Sequence, residues 1–270
     1  MRQQLNIETN HAKKSLGQNF ITDKNFLKKI SKFIPSDKNT NIIEIGPGRG
    51  ALTNYLVEKN FKSLSLIEKD RELIKELKIK FNDKAINIIN EDALKIDFEE
   101  LNLNNDTIIV GNLPFNISTQ LLFKWLEVNK WPPFYKRMIL MFQKEVADRI
   151  ISPNNNKNYG RISVAAQARC KIRKVLNAPS YIFKPIPKVD GVILDFEPYI
   201  DYSELDFTIL QKILKDAFSQ RRKKIKKNLS NYTSLLKDLN IDENLRAENL
   251  SVKDYCNISL ALNKKSFFLN

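Results

Sequence analysis

Apolar positions in this chain keep two different periods. Phe26, Leu27, Ile30, Phe33 and Ile34 step at i, i+1, i+4, i+7 and i+8, which places them on one face of a helix with Thr22 or Asp23 available as its cap. Beyond that helix stand short, continuously apolar runs at 41–45, 63–67, 85–89, 107–110 and 138–142, the pattern of strands buried on both faces. Helix-length patterns at 51–59, 71–81 and 118–128 fall between them. Strand and helix in alternation predict an α/β fold with an open, mostly parallel sheet covered on both sides. After residue 158 the pattern changes to a helix at 159–168 and strands at 171–176 and 191–196. The proline-marked loop at 179–187 is too short for a crossover helix, so the last two strands are expected to pair antiparallel. From about residue 201 only helical patterns remain, with Leu214, Phe218, Ile225 and Leu229 forming a heptad-like seam. The expected organisation is a domain at 1–200, including an N-terminal leader, and a small all-α domain at 201–270.

Charge sharpens this picture through its distribution. The chain of 270 residues carries 45 Lys plus Arg against 31 Asp plus Glu, which suits polyanionic partners such as RNA, DNA or an anionic membrane. Lys, Asn and Ile have A/T-rich codons, so compositional drift accounts equally well for the bulk excess. Drift does not explain its placement: 124–188 holds 14 basic and 3 acidic residues, and 191–270 holds 13 and 11. The second half of the large domain is the expected polyanion face, with one dense run at 221–227. Cys170 and Cys256 stand far apart and His11 has no partner at ligand spacing, which argues against disulfides and a metal centre. No signal-peptide core or membrane-length run is present, so a cytoplasmic protein is expected.

The strand at 41–45 runs into Gly46-Pro47-Gly48-Arg49-Gly50 and then a helix, the place where open α/β sheets bind nucleotides. Glu68 ends the next strand, where a carboxylate can accept both hydroxyls of a ribose, and Asp92 after the third strand can accept from an adenine amino group. The loop reads G-x-G-x-G, not the G-x-G-x-x-G of dinucleotide folds, and no acid-base histidine is available for hydride chemistry. S-adenosylmethionine is therefore favoured over NAD.

Gly111-Asn112-Leu113-Pro114-Phe115 follows the run at 107–110 and joins an amide, a stiff turn and an aromatic ring. Such a grouping suits chemistry on the amino group of a base. Asn112 and a backbone carbonyl at Leu113 or Pro114 can accept its two N–H bonds, and Phe115 offers a stacking face. Those hydrogen bonds favour a pyramidal nitrogen with a free lone pair, so methyl transfer needs positioning more than a general base.

These residues resemble the rRNA adenine N6,N6-dimethyltransferases, most closely the bacterial small-subunit branch, over 14–257. The match includes Ser15-Leu16-Gly17-Gln18-Asn19-Phe20, Glu44-Ile45-Gly46-Pro47-Gly48, Glu68-Lys69-Asp70, Glu91-Asp92-Ala93, 111–118, Gln143-Lys144-Glu145-Val146, 159–164, Pro187-Lys188-Val189-Asp190, 218–223 and Arg246-Ala247-Glu248-Asn249. The last two favour that branch over the resistance methylases of large-subunit rRNA. The resemblance implies a Rossmann-like class I methyltransferase sheet, with its last strand antiparallel, and S-adenosylmethionine as cofactor. It implies Asn19 and Ile21 as a leader folded over that cofactor, Gly46 and Gly48 as its glycine loop, Glu68 and Asp92 as ribose and adenine contacts, and Asn112 between cofactor and target. Arg221, Arg222 and Lys223 become RNA contacts, and the partner is small-subunit rRNA or its precursor particle, met by a monomer. A resistance-type methylase of large-subunit rRNA and a non-enzymatic RNA-binding assembly or transcription factor of the same fold are the remaining alternatives. Phe115 stands where the family usually has tyrosine, and Gly191 where serine is common.

Overall fold

The computed structural model describes residue 13 and residues 17–98, 101, 106–128, 130–199 and 204–267, with side chains described as far as residue 263. His11, the Ser15-Leu16 start of the leader and the boundary expected at 200/201 lie outside the described residues.

A two-residue strand, β1 (Phe20–Ile21), precedes α1 (Lys24–Phe33), and of the two candidate caps it is Asp23 whose carboxylate accepts from the Phe26 amide, at 2.8 Å. The alternation then runs β2 (Asp37–Ile45), α2 (Thr53–Leu56), β3 (Phe61–Glu68), α3 (Arg71–Lys80), β4 (Ile86–Asn90), β5 (Thr107–Gly111), α4 (Ser118–Leu126) and β6 (Tyr135–Gln143). It continues through α5 (Lys144–Ile150), α6 (Arg161–Arg169), β7 (Cys170–Ala178), the short β8 (Phe183–Lys184) and β9 (Gly191–Pro198). Seven strands form one sheet in the order β4-β3-β2-β5-β6-β9-β7. Neighbours from β4 to β6 are parallel, and β9 lies antiparallel between β6 and β7. The mostly parallel sheet with an antiparallel last strand is as expected from the sequence. Because the chain moves outward from β2 through β3 to β4, and the other way through β5 to β6, the topological switch falls between β2 and β5.

Strand periodicity builds both faces. Ile42, Ile108, Val110, Ile139 and Met141 join Phe26, Leu27, Ile30, Leu56 and Leu77 from α1, α2 and α3, and Phe81 just after α3, in one buried cluster. Their alternates Ile43, Ile109, Met138, Leu140 and Phe142 point to the other face, against Leu121, Trp125, Ile150 and Val164. That second cluster runs without a break into the C-terminal helices α7 (Phe207–Ala217), α8 (Ile225–Asn228), α9 (Thr233–Asp238) and α10 (Val252–Phe267), through Leu210, Ile213, Leu236, Tyr255 and Ile258.

Three helical features differ from the sequence reading. The helix expected at 51–59 shrinks to α2, because the turn that leaves the glycine loop continues through residue 52. The helix α5 was not expected. The seam Leu214-Phe218-Ile225-Leu229 is broken: Asn228 donates to the Ala217 and Gln220 carbonyls, at 2.6 and 3.1 Å, and closes the end of α7. Leu214, Ile225 and Leu229 are still fully buried together, so the apolar spacing survives on two helices joined by a turn. Among the described residues no helix is long and apolar enough to cross a membrane.

Candidate active site

All strands from β4 to β6 present their carboxyl ends on one edge, and there a cavity of about 410 Å³ opens across the switch between β2 and β5. That size suits a nucleoside-sized ligand. Gly46 and Gly48 bring the backbone to its floor with φ of +64° and +58°, a region that side chains disfavour. A Cβ on Gly48 would stand 2.8 Å from the Phe20 ring, so the leader lies directly on the loop. Arg49 adds its guanidinium over the same ring, 5.6 Å from the centroid. A pyrophosphate laid on this loop would have to displace Phe20, and the helix behind it is only four residues long. Both features count against a dinucleotide.

Glu68 is buried at the end of β3. Its Oε1 accepts from the Lys69 and Asp70 amides, both at 2.9 Å, and Oε2 accepts a longer bond from the Gly48 amide at 3.2 Å. Burial raises its pKa, and the three backbone donors hold that rise back. With Oε1 saturated, Oε2 is the atom left to accept from a ligand hydroxyl. Asp92 accepts from the Leu94 amide at 3.0 Å and from Lys69 Nζ at 2.8 Å. The Lys69 hydrogen bond lowers its pKa against the opposing effect of burial, so Asp92 stands ready as an ionised acceptor.

The leader crosses the mouth. β1 pairs antiparallel with β8, and Thr22 donates both its amide and its hydroxyl to the Ile182 carbonyl. Asp70, at the start of α3, takes Lys13 Nζ at 2.7 Å and Gln18 Nε2 at 3.0 Å. Burial would raise the Asp70 pKa, but these donors together with the Glu72 amide bring it below the usual carboxylate range. Asn112 Nδ2 donates to the Asn19 carbonyl at 2.9 Å, which ties the leader to the end of β5. Since a carbonyl can only accept, that bond fixes the Asn112 amide with its oxygen on the opposite side. The Pro114 carbonyl already accepts from the Ile117 and Ser118 amides, both at 3.1 Å, whereas among the described residues nothing donates to the Leu113 carbonyl. Of the two backbone acceptors left open by the sequence, Leu113 is the one with spare capacity.

Asn19, Ile21, Gly46, Gly48, Glu68, Asp92, Asn112, Leu113, Pro114 and Phe115 all line this cavity. Arg221, Arg222 and Lys223 do not. They lie in the turn between α7 and α8, and Arg221 is already engaged with the Lys157 and Tyr159 carbonyls and with Glu248 at 3.3 Å. The charge-rich stretch 124–188 also contains structural arginines. Arg137 and Arg173 converge on the buried Asp195, and Arg169 is buried between the Trp131 and Phe207 rings. Sequence reasoning gave no role to Lys13, Gln18, Lys69 or Asp70, whose partners are distant in the chain or lie across a strand end.

Glu44 lies beneath the glycine loop, also without a role assigned from sequence. Burial pushes its carboxyl up to about 7, with a contribution from the Glu68 charge, against the Thr53 hydroxyl that donates to it at 2.6 Å. An unfolded glutamate loses its proton near about pH 4.3, so between there and about 7 only the folded state keeps it. Stability therefore falls as pH rises through that window and levels off above it. Urea unfolding of Glu44→Gln should show the variant gaining roughly 3 kcal/mol on the wild type between pH 5 and 8. Parallel pH profiles would show that Glu44 is ionised throughout.

Comparison with known proteins gives one consistent result. The sequence model of the family described as ribosomal RNA adenine dimethylase matches residues 9–264. A protein of Mycoplasma mobile named ribosomal RNA small subunit methyltransferase A is 40% identical over 253 residues, covering 92% of this chain and 96% of its own. Its namesake in Pelagibacter ubique is 43% identical over 252 residues, 90% and 94% of the two chains. The crystal structure of a dimethyladenosine transferase from Plasmodium falciparum superposes with a TM-score of 0.78 at 27% identity, covering 92% and 98%. The 23S rRNA methyltransferase ErmE gives 0.67 at 19% identity over 90% and 99%, which bears on the fold alone.

Proposed function

Because the chain belongs to the ribosomal RNA adenine dimethylase family, we propose that it methylates the exocyclic N6 of two adjacent adenines in a loop near the 3′ end of small-subunit (16S) rRNA. The methyl donor is S-adenosylmethionine, and the reaction belongs to small-subunit biogenesis. Residues 1–200 are the methyltransferase domain and 201–270 the helical one, and the enzyme works as a monomer on its precursor particle in the cytoplasm. The observation that carries this reading is the Asn112 amide, anchored through its nitrogen beside a cavity that also holds Glu68 and Asp92.

The residues present fit S-adenosylmethionine. Glu68 offers Oε2 to a ribose hydroxyl, Asp92 accepts from the adenine amine, and the Phe20-covered loop suits a ligand without phosphates. When bound, S-adenosylmethionine supplies an electrophilic methyl on a sulfonium. Asn112 Oδ1 and the Leu113 carbonyl accept the two N–H bonds of the target amine and turn its lone pair toward that methyl. Phe115 stacks on the flipped base and offsets part of the cost of taking it from its neighbours. The methylated amine sheds its proton readily, so no side chain is needed as a base.

Radiolabelled methyl transfer onto unmethylated small subunits, large subunits and naked rRNA tests the proposal. Label is expected on the small subunit. Label on the large subunit supports a resistance-type methylase, and none at all a binding protein.

Arg222 and Lys223 are exposed in the α7–α8 turn and serve as RNA contacts, while Arg221 holds the turn against the 157–159 segment. Replacing Arg222 and Lys223 by alanine should reduce the slope of log affinity against log salt by roughly one unit per lost phosphate contact. Arg221→Ala should instead lower the melting temperature. An unchanged slope in the double variant would return the turn to an ordinary solvated surface.

A further inference from the structure

Three of the five exposed large hydrophobic side chains among the described residues lie in one loop: Tyr181 at 73% exposure, Ile186 at 68% and Val189 at 43%. Scattered exposed apolar residues need no explanation, but a cluster beside a cavity does. The loop is firmly held. Ile182 and Phe183 are buried, the Ser180 amide donates to Asp190 Oδ1 at 2.8 Å, and β8 is paired with the leader. Tyr181 and Ile186 are thus displayed by a fixed backbone.

The loop is continuous with the site, because Lys184 lines the cavity and pairs with Phe20. Residues 179–189 hold two lysines, Lys184 and Lys188, and no acidic residue, which outweighs the single Asp190 carboxylate that follows, whose Oδ1 accepts from the Ser180 amide. An aromatic face and aliphatic side chains interleaved with cations match the requirements of a single nucleic-acid strand, whose bases stack while its phosphates meet lysine. A flipped target base also leaves its neighbours without a stacking partner.

We infer that the loop 179–189 docks the RNA strand flanking the target adenine, with Tyr181 stacking on an adjacent base and Ile186 packing beside it. The inference rests on the methyltransferase reading above. Steady-state methylation of unmethylated small subunits tests it, with cofactor affinity and melting temperature measured alongside. Tyr181→Ala should raise the KM for subunits on the order of tenfold, with kcat and cofactor affinity within about twofold of wild type. Tyr181→Phe, which keeps the stacking face, should restore the wild-type KM, and Ile186→Ser should fall between. An unmoved KM in the Tyr181→Ala, Ile186→Ser double variant, with label still transferred, overturns this inference alone. Absence of label with the wild type overturns the functional reading and this one together. Loss of a self-associated species in Tyr181→Ala would make the loop an interface between copies and likewise overturn it.

Discussion

Asn112→Ala lowers the single-turnover methylation rate about 10²–10³-fold, the range expected for removing one placed hydrogen-bond partner of a reacting group. The same variant weakens cofactor binding by less than tenfold, because it loses only one neutral hydrogen bond from the leader, worth about 1 kcal/mol. The two effects separate by atom. Nδ2 holds the Asn19 carbonyl at 2.9 Å, and Oδ1 is the atom that the proposed mechanism assigns to the target amine. Asn112→Asp keeps an acceptor for the amine but sets a carboxylate oxygen against the Asn19 carbonyl. It should therefore hold the leader worse than alanine does and yet methylate faster at saturating cofactor. Calorimetric cofactor titration with rapid-quench methylation reads both. Parallel loss of binding and rate in Asn112→Ala would make Asn112 a leader anchor and nothing more.

Glu68→Ala is expected to raise the cofactor dissociation constant about 100-fold, with a much smaller change in rate at saturation. A hydrogen bond to an ionised group contributes roughly 1.5–3 kcal/mol. The variant also leaves the Gly48, Lys69 and Asp70 amides without their acceptor, and these amides shape the loop itself. Glu68→Gln should be nearly as damaging. Its oxygen can serve Lys69 and Asp70, but its NH2 then meets the Gly48 amide, donor against donor. Equilibrium binding of S-adenosylmethionine measures the effect, and a Glu68→Gln variant with wild-type affinity would show that the ribose contact lies elsewhere.

The sheet was legible because its strands are buried on both faces and so read as unbroken apolar runs. Legibility stopped where polar residues continue a strand. β2 begins at Asp37, four residues before the expected start, because Asp37 to Asn39 remain partly or fully exposed as the strand extends past the core. β6 starts at Tyr135 because Arg137 is neutralised by Asp195 on the neighbouring strand, a pairing 58 residues away in sequence. β1 and β8 hold two residues each and join positions more than 160 residues apart, which no local period can announce.

The site was legible to the extent that its residues end strands. Glu68 ends β3, Asp92 and Asn112 follow β4 and β5, and a parallel sheet brings such ends to one edge. What the sequence left open was the partner of each group. Leu113 and Pro114 are equivalent on paper, and only the two amides at the start of α4 remove Pro114 from contention. Arg221 is one letter in a basic run, yet its guanidinium faces two carbonyls and a carboxylate. Net charge in 124–188 likewise hides partners, since Arg169 is buried and Arg137 and the more exposed Arg173 both pair with Asp195.

Synthesis proceeds from one end, and the position of β9 makes that direction matter. The last strand to leave the ribosome is not the last in the sheet: β7 has no neighbour there except β9, which fills the gap beside β6. A nascent chain released through residue 178 can assemble β2 to β6 but carries an unfilled edge on β6 and a β7 with nowhere to dock. Such open edges invite wrong pairing. Residues 191–198 are therefore the segment on which the union of β6 and β7 in one sheet depends.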